Sequence, residues 1–146
     1  MTKGKRHVNM IESKMKVVIL HGKHNSGKTT TFNHLYEELL SRKAEECESK
    51  RELPGKDDFE CVLKYNNKKI ALFSLGDYMF AIGSAVGYYT RANCDVLVVA
   101  HSLKTTIHQN SLFKARKYPY TIINKELDGA EISTEEAVEK ILDELR

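Results

Sequence analysis

Long apolar runs are missing from this chain of 146 residues. No stretch reaches the roughly 18 consecutive apolar residues that a membrane-spanning helix needs, and the first residues contain no apolar core of a secretory signal. Cysteine is scarce: Cys47, Cys61 and Cys94 are odd in number, widely spaced and form no C-x-x-C pair. These absences argue against a membrane protein and against a disulfide scaffold, and they predict a cytoplasmic protein with reduced thiols.

A strong charge of one sign is also absent. The 23 Lys and Arg residues are nearly balanced by 20 Asp and Glu residues, which leaves a net charge of +3. Such a balance does not indicate a nucleic-acid partner. Residues 1–14 are polar, basic and without periodicity, so we expect a flexible basic N-terminal arm. The remaining length, 15–146, predicts a single domain without a large inserted lid.

The most informative segment is Gly22-Lys23-His24-Asn25-Ser26-Gly27-Lys28-Thr29, which fits the pattern G-x-x-x-x-G-K-[ST]. In this pattern, backbone N–H groups surround the phosphates of a nucleotide and the Lys ammonium contacts the β- and γ-phosphates. The Thr hydroxyl binds Mg²⁺. The pattern has this meaning only where a strand precedes it and a helix follows it.

Both flanks of the motif meet that requirement. Residues 16–21 form a short, β-branched apolar run, as expected for a strand buried on both faces of a parallel sheet. Apolar residues recur after the motif at helical spacing, namely Phe32, Leu35, Tyr36, Leu39 and Leu40. The predicted helix therefore begins at the motif, and its N-terminus attracts anions.

Strand and helix patterns alternate along the rest of the chain. Strands are predicted over 59–65, 69–74, 95–100 and 119–124, and helices over about 78–91, 104–116 and 133–145. Asn66-Asn67 predicts a tight hairpin turn, Asp128-Gly129 a second turn, and 44–58, with Pro54-Gly55, a surface loop. This order predicts an α/β fold of three layers, with a mainly parallel sheet and one antiparallel hairpin.

In this context the motif resembles the Walker A motif of the P-loop NTPase superfamily, without selecting a family within it. The resemblance implies a P-loop NTPase-like fold, Mg²⁺ as cofactor, Lys28 as a catalytic cation at the phosphates, and Thr29 as a metal ligand. The nucleotide-binding residues that it implies are Gly22, Asn25, Ser26, Gly27, Lys28, Thr29 and Thr30.

The superfamily also has an acidic residue near the end of a neighbouring strand, which holds Mg²⁺ or orients the attacking water. Asp77 is the candidate, because it closely follows the apolar run 70–73 at the edge where parallel strands end. We therefore predict a metal-binding and catalytic role for Asp77, with helix capping as the alternative. Asp95 begins its strand and is expected at the opposite edge of the sheet.

The order of elements is similar to that of small GTPases, but their decisive motifs are incomplete. A D-x-x-G motif ending at Gly76 would need an acid where Phe73 stands. In the guanine-binding pattern N-K-x-D, Asn124-Lys125 is followed by Leu127 at the acidic position, and Asp128 comes one residue late. ATP is therefore favoured over GTP, and a GTPase-like protein or a non-catalytic switch module remains an alternative.

The favoured function is Mg²⁺-dependent nucleoside triphosphate binding with slow hydrolysis. A small P-loop kinase is the other enzymatic alternative, with Arg91, Arg116 and Lys117 as cations and 114–118 as a short lid. His101 and Ser102 follow a predicted strand at the edge that faces the ligand crevice. Two roles stay open for them, namely sensing a γ-phosphate and capping a helix. No feature of the sequence identifies a protein partner.

Overall fold

The computed structural model describes residues 15–23, 26–74, 81–102 and 118–146. In chain order, these residues form β1 (Lys16–Gly22), α1 (Lys28–Ser41), β2 (Glu45–Glu52), β3 (Phe59–Tyr65), β4 (Lys68–Phe73), α2 (Ala81–Arg91), β5 (Val96–Ser102), β6 (Tyr120–Asn124), β7 (Glu126–Leu127), β8 (Ala130–Glu131) and α3 (Thr134–Glu144). The predicted N-terminal arm and the helix predicted over 104–116 lie outside the described residues, as does the predicted start of the helix before Ala81.

Six strands form one sheet in the order β2-β3-β4-β5-β1-β6. Strands β4, β5, β1 and β6 run parallel to one another, whereas β3 is antiparallel to both β2 and β4. β7 and β8 form a separate antiparallel ribbon. The predicted α/β fold with a mainly parallel sheet is confirmed, and the carboxyl ends of the four parallel strands lie at one edge of the sheet.

The core lies on both faces of this sheet. Val18 and Leu20 of β1 pack in a cluster with α1 and α3, while Val17 and Ile19 pack in a second cluster with α2. This alternation buries a short apolar strand on both sides. The helices therefore form one layer above the sheet and another below it. The helical stripe is largely as predicted, except that Leu40 is exposed at the end of α1.

The hairpin between β3 and β4 forms where predicted. Asn66 and Asn67 have φ angles of 51° and 64°, in the left-handed region that a two-residue hairpin turn requires and that Asn tolerates. Asp128-Gly129 forms the second predicted turn, which connects β7 to β8. The predicted closing helix is also present as α3, with the Ser133 hydroxyl accepting a hydrogen bond from Glu136 N–H at 3.0 Å.

The prediction of a surface loop over 44–58 is wrong in its first half, because Glu45–Glu52 is strand β2. All of its residues except Glu48 are exposed, so the strand has no alternation of apolar and polar residues that sequence could reveal. The sheet consequently contains two consecutive antiparallel pairings where one hairpin was predicted. None of the helices in the described ranges is long and apolar enough to cross a membrane.

Candidate functional site

The eight-residue motif connects the end of β1 to the start of α1, at the edge where the parallel strands end. Its two glycines are needed for different reasons. Gly27 has a φ of +83° and lies in the left-handed region. A Cβ atom added to Gly22 would lie 2.5 Å from Ser26 Oγ and 3.0 Å from Lys125 Cβ. We refer to Gly22–Thr29 as the phosphate loop.

The Lys28 ammonium is folded into the phosphate loop. Lys28 Nζ donates hydrogen bonds to the carbonyl oxygens of Lys23 at 2.7 Å and Gly22 at 3.2 Å, and it lies 3.4 Å from Ser26 Oγ. Only 7% of Lys28 is exposed. A buried ammonium needs such acceptors, which hold its charge beside the carbonyl oxygens at the end of β1. Positions 24 and 25, including the predicted ligand-binding Asn25, lie outside the described residues.

The N-terminus of α1 adds further positive character. The first backbone hydrogen bond of the helix runs from Thr31 N–H to the Gly27 carbonyl at 3.0 Å. The N–H groups of Lys28, Thr29 and Thr30 therefore precede the intrahelical hydrogen bonds. The amides of a helix N-terminus and the helix dipole favour an anion at such a position. The side chain of Thr30 is exposed, and its predicted part in phosphate binding therefore rests on its amide.

Thr29 connects the phosphate loop to a buried acid that precedes β3. Its hydroxyl donates a hydrogen bond to Asp58 Oδ1 at 2.9 Å, and the Ser74 hydroxyl donates to the same oxygen at 2.8 Å. Ser74 Oγ in turn accepts from Phe59 N–H at 2.9 Å. Asp58 is only 8% exposed. We call Thr29, Asp58 and Ser74 the acidic cluster.

The acidic cluster has the chemistry of a hard-cation site. Thr29 gives its only proton to Asp58, which leaves the lone pairs of its Oγ1 available to a cation. Mg²⁺ prefers oxygen ligands and usually takes only one or two from protein, with phosphate and water supplying the others. The described ranges contain no group of three or more His, Cys, Asp and Glu residues that could hold a metal. The acidic cluster offers one carboxylate and two hydroxyl groups, which are oxygen ligands of the kind that Mg²⁺ prefers.

Asp58 is the functional candidate that sequence reasoning missed, having assigned it to the surface loop. The register of the predicted hairpin could have revealed the position of Asp58. Glu60 pairs with Phe73, so the segment before β3 must lie beside the segment after β4. An antiparallel strand thus begins at the edge where its parallel neighbours end. Asp77, the acid predicted for this role, lies outside the described residues.

Two histidines adjoin the phosphate loop on neighbouring strands. His21 of β1 and His101 of β5 are paired in register, with their Nδ1 atoms 3.0 Å apart and their rings stacked. One Nδ1 must donate and the other accept, so the contact requires a single proton between them. Burial, followed by the charge of Lys28, holds the pKa of His21 below its ordinary value. His101 thus lies at the predicted edge, while γ-phosphate sensing stays a prediction.

The other side of the phosphate loop contacts the segment after β6. Lys125 N–H donates to the His21 carbonyl at 2.8 Å, and Lys23 Nζ lies 3.2 Å from Glu126 Oε2. The Lys125 side chain is 3% exposed and its Nζ donates to the Ile132 carbonyl at 2.9 Å. The loop is therefore held between β5 on one side and the Lys125–Glu126 segment on the other.

Two other residues considered in the sequence lie away from this site. Asp95 Oδ2 accepts a hydrogen bond from Lys69 N–H at 2.8 Å, at the amino edge of the sheet where β4 and β5 begin. Lys69 Nζ also donates to the Ala92 carbonyl at 2.7 Å, which places the end of α2 at that edge. Arg91, proposed as a phosphate-neutralising cation, is thus at the far edge, and Asp95 has a structural role there.

Comparisons of this chain with protein-family models, with curated proteins and with solved structures found no match.

Proposed function

We propose that this chain is a P-loop NTPase-like protein that binds a nucleoside triphosphate with Mg²⁺ and hydrolyses it slowly. The observation that carries the proposal is the juxtaposition, at the start of α1, of a buried cation and a buried anion. Lys28 lies inside the phosphate loop, and the adjacent Thr29 is hydrogen-bonded to Asp58. A magnesium nucleotide carries both complementary charges.

The phosphate loop would bind the triphosphate. Lys28 Nζ now donates to two carbonyl oxygens, and anionic phosphate oxygens are stronger acceptors for the same donors. The amides at the start of α1 add neutral donors aligned with the helix dipole. The helix amides are already placed by backbone geometry, whereas Lys28 would exchange its carbonyl acceptors for phosphate oxygens.

The acidic cluster would hold the cofactor. Thr29 supplies a hydroxyl ligand, and Asp58 orients that hydroxyl and binds the ion directly or through water. An Mg²⁺ ion held there would supply positive charge against the negative charge that develops on the phosphates. Ser74 positions the Asp58 carboxylate through the bond at 2.8 Å. Turnover is expected to be slow because Arg91, a candidate for neutralising the transferred group, lies at the far edge.

ATP is the proposed nucleotide, in preference to GTP. In the segment after β6, Leu127 occupies the position where N-K-x-D requires an acid, and its side chain is 44% exposed. Asp128 lies one residue later in the turn to β8, with a φ of 53°. We therefore expect GTP to compete no more than about tenfold better than ATP, equivalent to about 1.4 kcal/mol. Competition binding of GTP against ATP measures this ratio.

A nucleotide-dependent switch module is the second candidate, and one contact favours it. Asn33 Nδ2 donates to the Thr29 carbonyl at 3.0 Å and to the Asp57 carbonyl at 3.2 Å. The segment leading into β3 is thus attached to α1 beside both Thr29 and Asp58. Tight binding of ATP with negligible phosphate release would favour this module over the hydrolase. The kinase alternative stays a prediction, since most of its candidate lid lies outside the described residues.

The test is calorimetric titration of the purified chain with ATP, in the presence and absence of Mg²⁺, together with a phosphate-release assay. Lys28→Ala should lose measurable ATP binding while keeping its circular dichroism, because an apolar side chain cannot replace the ammonium. Lys64→Ala, at an exposed position of β3, is the matched control and should bind as wild type does. Unchanged ATP affinity in a folded Lys28→Ala protein would overturn the proposal.

A further inference from the structure

A second buried lysine, Lys125, lies along the phosphate loop. Its Cβ is 3.0 Å from the point where a Cβ on Gly22 would lie. Its Cε and Nζ are 3.9 Å and 3.8 Å from the corresponding point on Gly27. The side chain thus extends from the first glycine of the loop to the last one.

The charge of Lys125 is poorly compensated by the protein. Its Nζ donates to the Ile132 carbonyl at 2.9 Å, while the ion pairs found in the described ranges include no carboxylate for it. An ammonium has three donors, and burying its charge is unfavourable unless it is paired. The neighbouring Glu126 pairs instead with Lys23, a residue that is largely exposed. The Lys125 Nζ therefore lies buried beside the phosphate loop with no carboxylate partner among the described residues.

We propose that Lys125 is a positioning residue for a polyphosphate ligand, holding the Gly22-to-Gly27 span in place with its stem and adding a second buried positive charge to that of Lys28. This inference rests on the proposed function, since it assigns a further residue to the same site. The anion that compensates Lys125 is the bound phosphate chain. Base recognition has no part in the argument, so the ligand chemistry is that of a polyphosphate in general.

Two substitutions remove the charge of Lys125 and keep most of its stem. Lys125→Met keeps an unbranched side chain of similar length and removes the charge, whereas Lys125→Gln keeps a donor for the Ile132 carbonyl and removes the charge. Lys64→Met is the control for loss of an exposed lysine. The probe is inorganic tripolyphosphate, followed by ATP, titrated by calorimetry at two salt concentrations, with thermal unfolding of the ligand-free proteins measured alongside.

Both Lys125 variants should bind tripolyphosphate at least about tenfold more weakly than wild type, as expected for loss of a charged contact. Their affinity should also depend less on salt, because one cation is missing. Ligand-free stability should be unchanged or higher, since a buried charge has been removed. The Lys64→Met control should match wild type in affinity and in salt dependence.

If wild type binds and Lys28→Ala does not, wild-type affinity in both folded Lys125 variants would overturn the inference about Lys125. The proposed function would then be unaffected. Weaker binding with an unchanged salt dependence would assign Lys125 to packing and overturn its electrostatic role. Failure of both variants to fold would show that the lysine is needed for structure, which also contradicts the proposal. If wild type binds neither tripolyphosphate nor ATP, the proposed function fails and this inference fails with it.

Discussion

The phosphate loop and the acidic cluster meet at Thr29 but are built differently. Inside the loop, Lys28 donates to the backbone carbonyls of residues five and six positions earlier. The acidic cluster instead joins side chains from three places, with Asp58 accepting hydrogen bonds from Thr29 of α1 and from Ser74 after β4. One half is thus local and cationic, whereas the other is non-local and anionic.

Under the proposed function, each half serves a different part of a magnesium nucleotide. The donors of the loop lie between β1 and α1, so under the proposed function phosphate binding should survive changes in the acidic cluster. The acidic cluster depends on the register of β3 against β4 and on Thr29, so it can be weakened without loss of the loop. Substitutions in each half should therefore separate phosphate binding from its dependence on Mg²⁺.

The largest expected effect in the acidic cluster is that of Asp58→Asn. Asn keeps an oxygen that accepts from Thr29 and Ser74 but removes the negative charge, so the fold should persist. Mg²⁺-dependent hydrolysis should fall by about 100-fold or more, in the range seen when a single electrostatic group is removed from a preorganised site. ATP binding without Mg²⁺ should survive or strengthen. Phosphate release and a Mg²⁺ titration measure the two effects.

Asp77→Asn, measured in the same assay, tests whether Asp77 rather than Asp58 orders the metal. If Asp58 is the acid that orders the metal, Asp77→Asn should change Mg²⁺ dependence far less than Asp58→Asn does. The reverse order would return the role to Asp77 and leave Asp58 as a structural partner of Thr29. Equal losses would indicate that both carboxylates serve the ion.

Gly22→Ala should disrupt the loop without touching the acidic cluster. The new methyl group would approach Ser26 Oγ and Lys125 Cβ at 2.5 Å and 3.0 Å, and the second contact cannot be relieved by turning a side-chain end. We expect a loss of about 1–3 kcal/mol in the free energy of unfolding, as for overpacking elsewhere. ATP affinity should fall with and without Mg²⁺. Gly87→Ala in α2 is a control, where the nearest contact is 3.4 Å from a flexible Arg91 side chain.

Ser74→Ala should have an effect confined to the acidic cluster, with less influence on ATP binding than Gly22→Ala has. It removes one of the two hydroxyls that donate to Asp58 and the acceptor for Phe59 N–H. Loss of such buried hydrogen bonds costs about 1–3 kcal/mol of stability. We expect a higher Mg²⁺ requirement for hydrolysis and unchanged ATP binding without metal. An unchanged Mg²⁺ titration would show that Thr29 alone positions the carboxylate.

The smallest expected effect concerns pH and the histidine pair. Burial and the charge of Lys28 lower the pKa of His21 below its ordinary value of 6.5, so the unfolded chain binds more protons than the folded chain below that pH. Stability should fall as pH decreases from 6.5 through the lowered pKa. Partial exposure of the ring keeps the slope well below about 1.4 kcal/mol per pH unit.

Urea unfolding at several pH values tests this contribution. The difference in stability between neutral and mildly acidic pH should be smaller in His21→Gln than in wild type. His34→Gln, at an exposed position of α1, should leave it unchanged. Identical pH profiles for wild type and His21→Gln would show that His21 does not contribute to the pH dependence of stability and assign that dependence to other titratable groups.

The sequence by itself determined those features that depend on neighbouring residues. The apolar run of β1, the helical spacing after Lys28 and the glycines at 22 and 27 together predict a strand, a loop and a helix in that order. These signals are local because backbone dihedral angles and side-chain periodicity act over a few residues. The hairpin at Asn66-Asn67 was predictable for the same reason, since its turn needs two residues that tolerate positive φ.

Tertiary structure alone decided which distant residues join the loop. Asp58 is brought to Thr29 by an antiparallel strand, His101 to His21 by a parallel neighbour, and Lys125 to Gly22 and Gly27 by the other neighbour of β1. β2 escaped prediction because it is an edge strand exposed to solvent and lacks an apolar pattern. The physical reason is common to these cases: strand order and register are set by packing across the whole sheet, and local sequence constrains them weakly.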